Sequence, residues 1–127
     1  MMSGEVTSSE AILVLKVQGP RNKTRRIVAV IDTGYTGSLT LPPKLIKSLG
    51  LRWQVLNRGT LADGSRCLFE MYEGRVVWDG RTRSILVDEA DADPLIGMEL
   101  LSGYELKIQV RSHSRVKIKK LQSTRGR

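Results

Sequence analysis

The chain has 127 residues, 40% hydrophobic and 27% charged, and its 21 Lys plus Arg against 13 Asp plus Glu give a formal net charge of +8. Length and composition fit one domain around one core and exclude a disordered chain or a collagen-like repeat. A single cysteine, Cys67, and a single histidine, His113, rule out an intrachain disulfide and speak against a zinc cluster, so no metal and no cofactor is expected.

Met1 to Glu10 lacks the basic and long apolar regions of a secretory leader. The longest apolar runs, Ala11 to Leu15 and Ile27 to Ile31, are strand-sized and far from the roughly 18 residues of a membrane-spanning helix. The expectation is a cytoplasmic protein with no membrane partner. Ala11 to Val17 and Arg25 to Ile31 are β-branched-rich runs joined by a polar Gly-Pro-Arg-Asn stretch, which predicts a hairpin. Asp32-Thr33-Gly34 and Tyr35-Thr36-Gly37 form a turning loop before the short run Leu39 to Leu41. Pro43 to Leu49 predicts a short helix with Leu45, Ile46 and Leu49 on one face and Gly50 as its stop.

Between Leu51 and Val87 the pattern is strand-like, and Asp63-Gly64 and Asp79-Gly80 mark two hairpin turns. Asp88 to Asp93 reads as a solvated acidic loop. Pro94 to Gly97 follows, then one helical turn from Met98 to Leu101. Leu106, Ile108 and Val110, and then Val116 and Ile118, alternate with polar residues across a Ser112-His113-Ser114 link, which reads as a last hairpin. About eight short strands with one or two short helices predict an all-β domain, a closed or nearly closed barrel.

Residues 1–110 hold 14 Lys plus Arg and all 13 acids, so residues 111–127 supply +7 of the net charge. The division is a domain over 1–110 and a basic C-terminal tail over 111–127, which in one reading adds a strand. Such a tail attracts phosphates, but it has no aromatic residue to stack on a base. Nucleic acid is therefore a secondary candidate partner.

Asp32 carries the chemistry. A carboxylate directly after the apolar run Ile27 to Ile31 needs hydrogen bonds or a shared proton to offset its lost hydration. One reading is a turn role, with Asp32 accepting bonds from the amides of Gly34 or Tyr35. The other is catalytic. The run Val30-Ile31-Asp32-Thr33-Gly34, the hairpin tip Ala62-Asp63-Gly64-Ser65 and the segment Pro94-Leu95-Ile96-Gly97 before a short helix and a strand together resemble the retropepsin-like aspartic proteases. The likeness spans roughly residues 11 to 110 and looks closest to the small bacterial single-domain members, in which a helix such as Pro43 to Leu49 follows the catalytic loop.

The resemblance implies a retropepsin-like closed barrel with a hairpin flap. It implies an aspartic endopeptidase, active as a homodimer on peptide or protein substrates, because the chain holds one Asp-Thr-Gly and this chemistry uses two carboxylates sharing a proton. Asp32 would be catalytic and Thr33 and Gly34 would support the loop. Ala62, Asp63, Gly64 and Ser65 would form the flap tip, and Ile96 and Gly97 would pack behind the loop. The tip departs from the glycine-rich retroviral pattern, since it carries Asp63 with Arg66 nearby. The alternative is a catalytically silent binding module of the same fold, whose basic tail contacts nucleic acid or an acidic partner.

Overall fold

The computed structural model of the chain describes residues 1–60 and 66–122. The predicted first hairpin is β2 (Glu10–Gln18) paired antiparallel with β3 (Thr24–Ile31), in register from Gln18↔Thr24 to Ile12↔Val30. Alternation sends Leu13, Leu15, Val17, Ile27, Ala29 and Ile31 into the core and leaves Val14 and Val28 half-exposed on the outer face. The connection is a 3₁₀ turn, Pro20–Asn22, in which Arg21 and Asn22 both take left-handed backbone, φ 60° and 59°.

A strand precedes this hairpin that the sequence pattern does not announce. In β1 (Met2–Thr7), Val6 is the one fully buried side chain, and Ser8 and Ser9 make its turn into β2 with φ 52° and 63°. Serine lacks the strong turn signature of Asn-Gly. β4 (Leu39–Leu41) is buried at all three positions. It leads into α1 (Pro43–Leu49), which ends where Gly50 adopts φ 66° and its amide donates to Lys47 O.

β5 (Arg52–Thr60), β6 (Arg66–Trp78) and β7 (Arg81–Glu89) form a meander. The Asp79-Gly80 turn has φ 52° and 80°, as a two-residue hairpin connection requires. The Asp63-Gly64 tip lies outside the described residues. The chain closes with β8 (Leu95–Ile96), α2 (Met98–Leu101), β9 (Tyr104–Ile108) and β10 (Arg115–Lys120).

The strands form a closed ring. β2 pairs with β3, β3 with β8, β8 with β4, β4 with β7, β7 with β6, and β6 returns to β2 through Lys16↔Val77 to Gln18↔Arg75. This six-stranded barrel encloses Leu15, Val17, Leu39, Leu41, Val76, Val87 and Ile96, each at most 2% exposed. A flanking layer runs β2-β1-β10-β9. β6 leaves β7 at Met71 and continues with β5 alone to Thr60↔Arg66, so a two-stranded ribbon projects from the barrel.

Three expectations are corrected. The described strands number ten rather than about eight. Asp88 and Glu89 belong to β7, because Leu39↔Val87 to Leu41↔Glu89 pairing with β4 extends that strand past the predicted boundary. Val110 is 83% exposed, since β9 ends at Ile108. Trp78 is buried edge-on against Tyr104, ring centroids 5.8 Å apart, whereas Trp53 stands half-exposed on β5. No helix among the described residues is long and apolar enough to cross a membrane.

β10 carries Val116 and Ile118, both fully buried, and bridges β1 to β9. Truncation after Val110 removes these side chains, each worth about 1.5–3 kcal/mol of burial, and leaves β9 without a partner strand and β1 paired with β2 alone. A urea titration is expected to show the truncated chain several kcal/mol less stable; a loss under about 1 kcal/mol would contradict this packing.

Candidate active site

Asp32 sits one residue beyond β3, where a buried strand gives way to an exposed loop. Its amide donates to Ile96 O at 2.9 Å, and its own carbonyl accepts from Tyr35 N at 3.1 Å. Its side-chain Oδ1 accepts from Gly34 N at 2.9 Å. The residue is half-buried, while Thr33 and Gly34 are exposed. The carboxylate is thus held by main chain on one side and stands on an open face of the chain. Acceptance from the Gly34 amide satisfies the turn reading, and it equally orients a reactive carboxylate.

The loop is bonded along its length to one other segment. Besides Asp32 N to Ile96 O, Gly97 N donates to Ser38 O at 3.0 Å, Met98 N to Tyr35 O at 2.8 Å and Glu99 N to Gly37 O at 3.1 Å. Four consecutive residues at the β8–α2 junction therefore fix the loop from Asp32 to Ser38. The contact requires glycine at 97, because a Cβ there would lie 2.7 Å from Tyr35 O and inside contact distance of Gly37 O. Ile96 is fully buried behind the loop. On the outer side, buried Thr40 accepts from Leu95 N at 2.9 Å and ties β8 to β4. Ala62, Asp63, Gly64 and Ser65 lie outside the described residues.

Sequence reading passed over one pair. Tyr35 directs its hydroxyl to Asp88 Oδ2 in a short hydrogen bond across the loop and β7. Burial, and secondly the bond to Asp88, raise the Tyr35 hydroxyl above its ordinary value of 10.0. Only the β4–β7 pairing brings positions 53 residues apart together, so no local pattern announces the contact. The neighbouring Tyr72 hydroxyl donates to Glu89 Oε1 at 3.1 Å and is raised in the same direction.

A linkage test follows. The unfolded tyrosine ionises near pH 10 while the folded one stays protonated, so the stability contributed by Tyr35 is present below pH 10 and is lost as pH rises above it. Tyr35→Phe is expected to flatten the alkaline fall in stability, with the residual slope due to Tyr72 and Tyr104, also raised. At neutral pH the variant costs about 1 kcal/mol through the unpaired Asp88. An unchanged alkaline limb in denaturant titrations at pH 8 to 11 would refute the assignment.

No family model matches the chain, and no curated protein matches it. Solved structures do. EIAV protease complexed with the inhibitor HBY-793 superposes with a TM-score of 0.55 at 14% identity, over 74% of this chain and 86% of that one. A retropepsin-like aspartic protease from Rickettsia conorii superposes with a TM-score of 0.55 at 16% identity, over 96% of this chain and 94% of that one. The chain has the retropepsin-like fold.

Proposed function

We propose that this chain is an aspartic endopeptidase whose active unit is a homodimer. The observation that carries the reading is Asp32. In a retropepsin-like barrel it presents one half-buried carboxylate on an exposed loop, oriented by the Gly34 amide and braced by Ile96. Each chain supplies one Asp-Thr-Gly. A two-fold axis beside the loop brings the two Asp32 residues together, since a symmetric interface repeats the same patch on both subunits.

Carboxylates about 3 Å apart hold one proton between them. The ionised Asp32 takes a proton from a water bound between them, and the water oxygen attacks the scissile carbonyl carbon. The protonated Asp32 donates to the carbonyl oxygen, giving a neutral tetrahedral diol. Collapse breaks the C–N bond as the now protonated Asp32 gives its proton to the leaving nitrogen and the other Asp32 takes one from a diol hydroxyl, so the dyad again holds a single proton. Thr33, exposed in the protomer, is positioned to bond across the axis. The projecting β5–β6 ribbon serves as the flap that covers substrate and excludes water.

The test is direct. Wild-type protein at high concentration is incubated with a mixed peptide library at pH 3 to 8, and new termini are read by mass spectrometry. Discrete internal cleavages are expected; an unaltered library at every pH would remove the proposal.

A further inference from the structure

The near balance of charge over residues 1–110 conceals a separation that only the fold reveals. The end of the β2–β3 hairpin, residues 16–26, carries Lys16, Arg21, Lys23, Arg25 and Arg26 and no acid. Arg52 at the start of β5 and Arg75 of β6 join it. Gln18, Gly19, Pro20, Arg21, Arg52 and Arg75 line one cavity of about 250 Å³, together with Glu73. A second, of about 280 Å³, shares Pro20, Arg21 and Arg52 and adds Lys23. The two share walls and make one trough.

Arg21, Lys23, Arg52 and Arg75 therefore line the trough against the one carboxylate of Glu73, while Lys16 and Arg26 line a separate cavity with Val14, Thr24 and Val77; these segments together leave seven cations against twelve carboxylates in the rest of residues 1–110. The opposite end of β3 faces the acidic loop, since Val30 N donates to Pro94 O next to Asp91 and Asp93. Among the described residues the ion pairs within 4 Å are Met1 N with Asp79 and His113 with Glu5, so none neutralises the trough. The site is built rather than loose. Arg75 Nη2 donates to Gly19 O at 3.0 Å and holds the turn, and Arg21 is kept in left-handed backbone that a non-glycine residue rarely adopts.

We infer that this trough binds the phosphate backbone of a nucleic acid duplex. Arginine, three of the four lining cations, presents a planar fork that matches phosphate oxygens. Gln18, Ser84 and main chain supply neutral polar partners, and no aromatic residue lines either cavity, which fits backbone contact without base stacking. β3 places the trough roughly 25 Å from Asp32, at about 3.3 Å per residue, so this activity is separate from the proposed peptidase chemistry and stands without it.

The experiment is fluorescence anisotropy of the full chain with a labelled mixed-sequence duplex of about 20 base pairs, from about 50 to 200 mM salt. Wild type is expected to bind with a log K that falls linearly with log salt. Arg21→Glu with Arg52→Glu is expected to weaken binding at least about tenfold and to reduce the salt slope by about 2. Arg115→Glu with Lys119→Glu, on β10, is expected to stay within about threefold of wild type. If the charge-reversed trough variant does not fold, Arg21→Gln with Arg52→Gln reads the same loss. No binding by wild type, trough variants that bind like wild type, or binding confined to phosphatidylserine vesicles or to polyglutamate would each overturn the assignment.

Discussion

Asp32→Asn is expected to lower peptide cleavage at least about 10³-fold while leaving the fold intact. The substitution is nearly isosteric, and the amide oxygen still accepts from Gly34 N, the one side-chain hydrogen bond of Asp32 among the described residues. The turn survives. What disappears is the capacity to take a proton from water, and in a symmetric dimer both halves lose it together. Thermal or urea unfolding separates the readings, with a stability change within about 0.5 kcal/mol expected. Cleavage that persists in Asp32→Asn would reduce Asp32 to a turn residue.

Gly97→Val is expected to be the most destabilising of the single substitutions. The backbone at 97 is extended, φ −108° and ψ −178°, a conformation open to any residue, so the cost is packing and not backbone strain. The added carbon meets main-chain oxygens of Tyr35 and Gly37 and lies 2.5 Å from Tyr35 Cδ2. Those carbonyls can yield only by losing the bonds from Met98 N and Glu99 N. Overpacking of about 1–3 kcal/mol plus about 1 kcal/mol per lost hydrogen bond reaches roughly 3–5 kcal/mol. That is a large part of the stability of a small domain. Gly34→Ala serves as the comparison, since its Cβ would meet only Asp32 Oδ1, at 3.2 Å. A Gly97→Val protein within about 1 kcal/mol of wild type in urea would show that the loop does not depend on this contact.

The elements with strong local signals were legible in the chain. Pro43 to Leu49 has proline at its start, glycine at its stop and apolar residues on one face, and it is a helix over that span. The Asp79-Gly80 turn was readable because both residue types tolerate positive φ. β1 was not, since its turn is Ser8-Ser9 and Val6 alone is fully buried. Asp88 is not legible as a bonded partner, because its neighbouring acids have the pattern of a solvated loop. Its partner Tyr35 comes from pairing β4 against β7, which no local window contains.

The candidate site divides along the same line. Asp32 was visible as a carboxylate after an apolar strand. Its bracing by the Ile96 carbonyl and the main-chain ladder from Ile96 to Glu99 arise from a parallel β3–β8 contact of two residue pairs. The cationic trough is not legible along the chain, because Arg52 and Arg75 join Arg21 and Lys23 only through tertiary structure.

Sedimentation velocity and cleavage rate measured over one dilution series test whether two Asp32 residues from separate chains form the active unit. A dimer is expected at high concentration, with specific activity falling in proportion to the dimer fraction as the protein dissociates. A protein that remains monomeric at every concentration and still cleaves peptide would contradict it, because one chain brings only one Asp32.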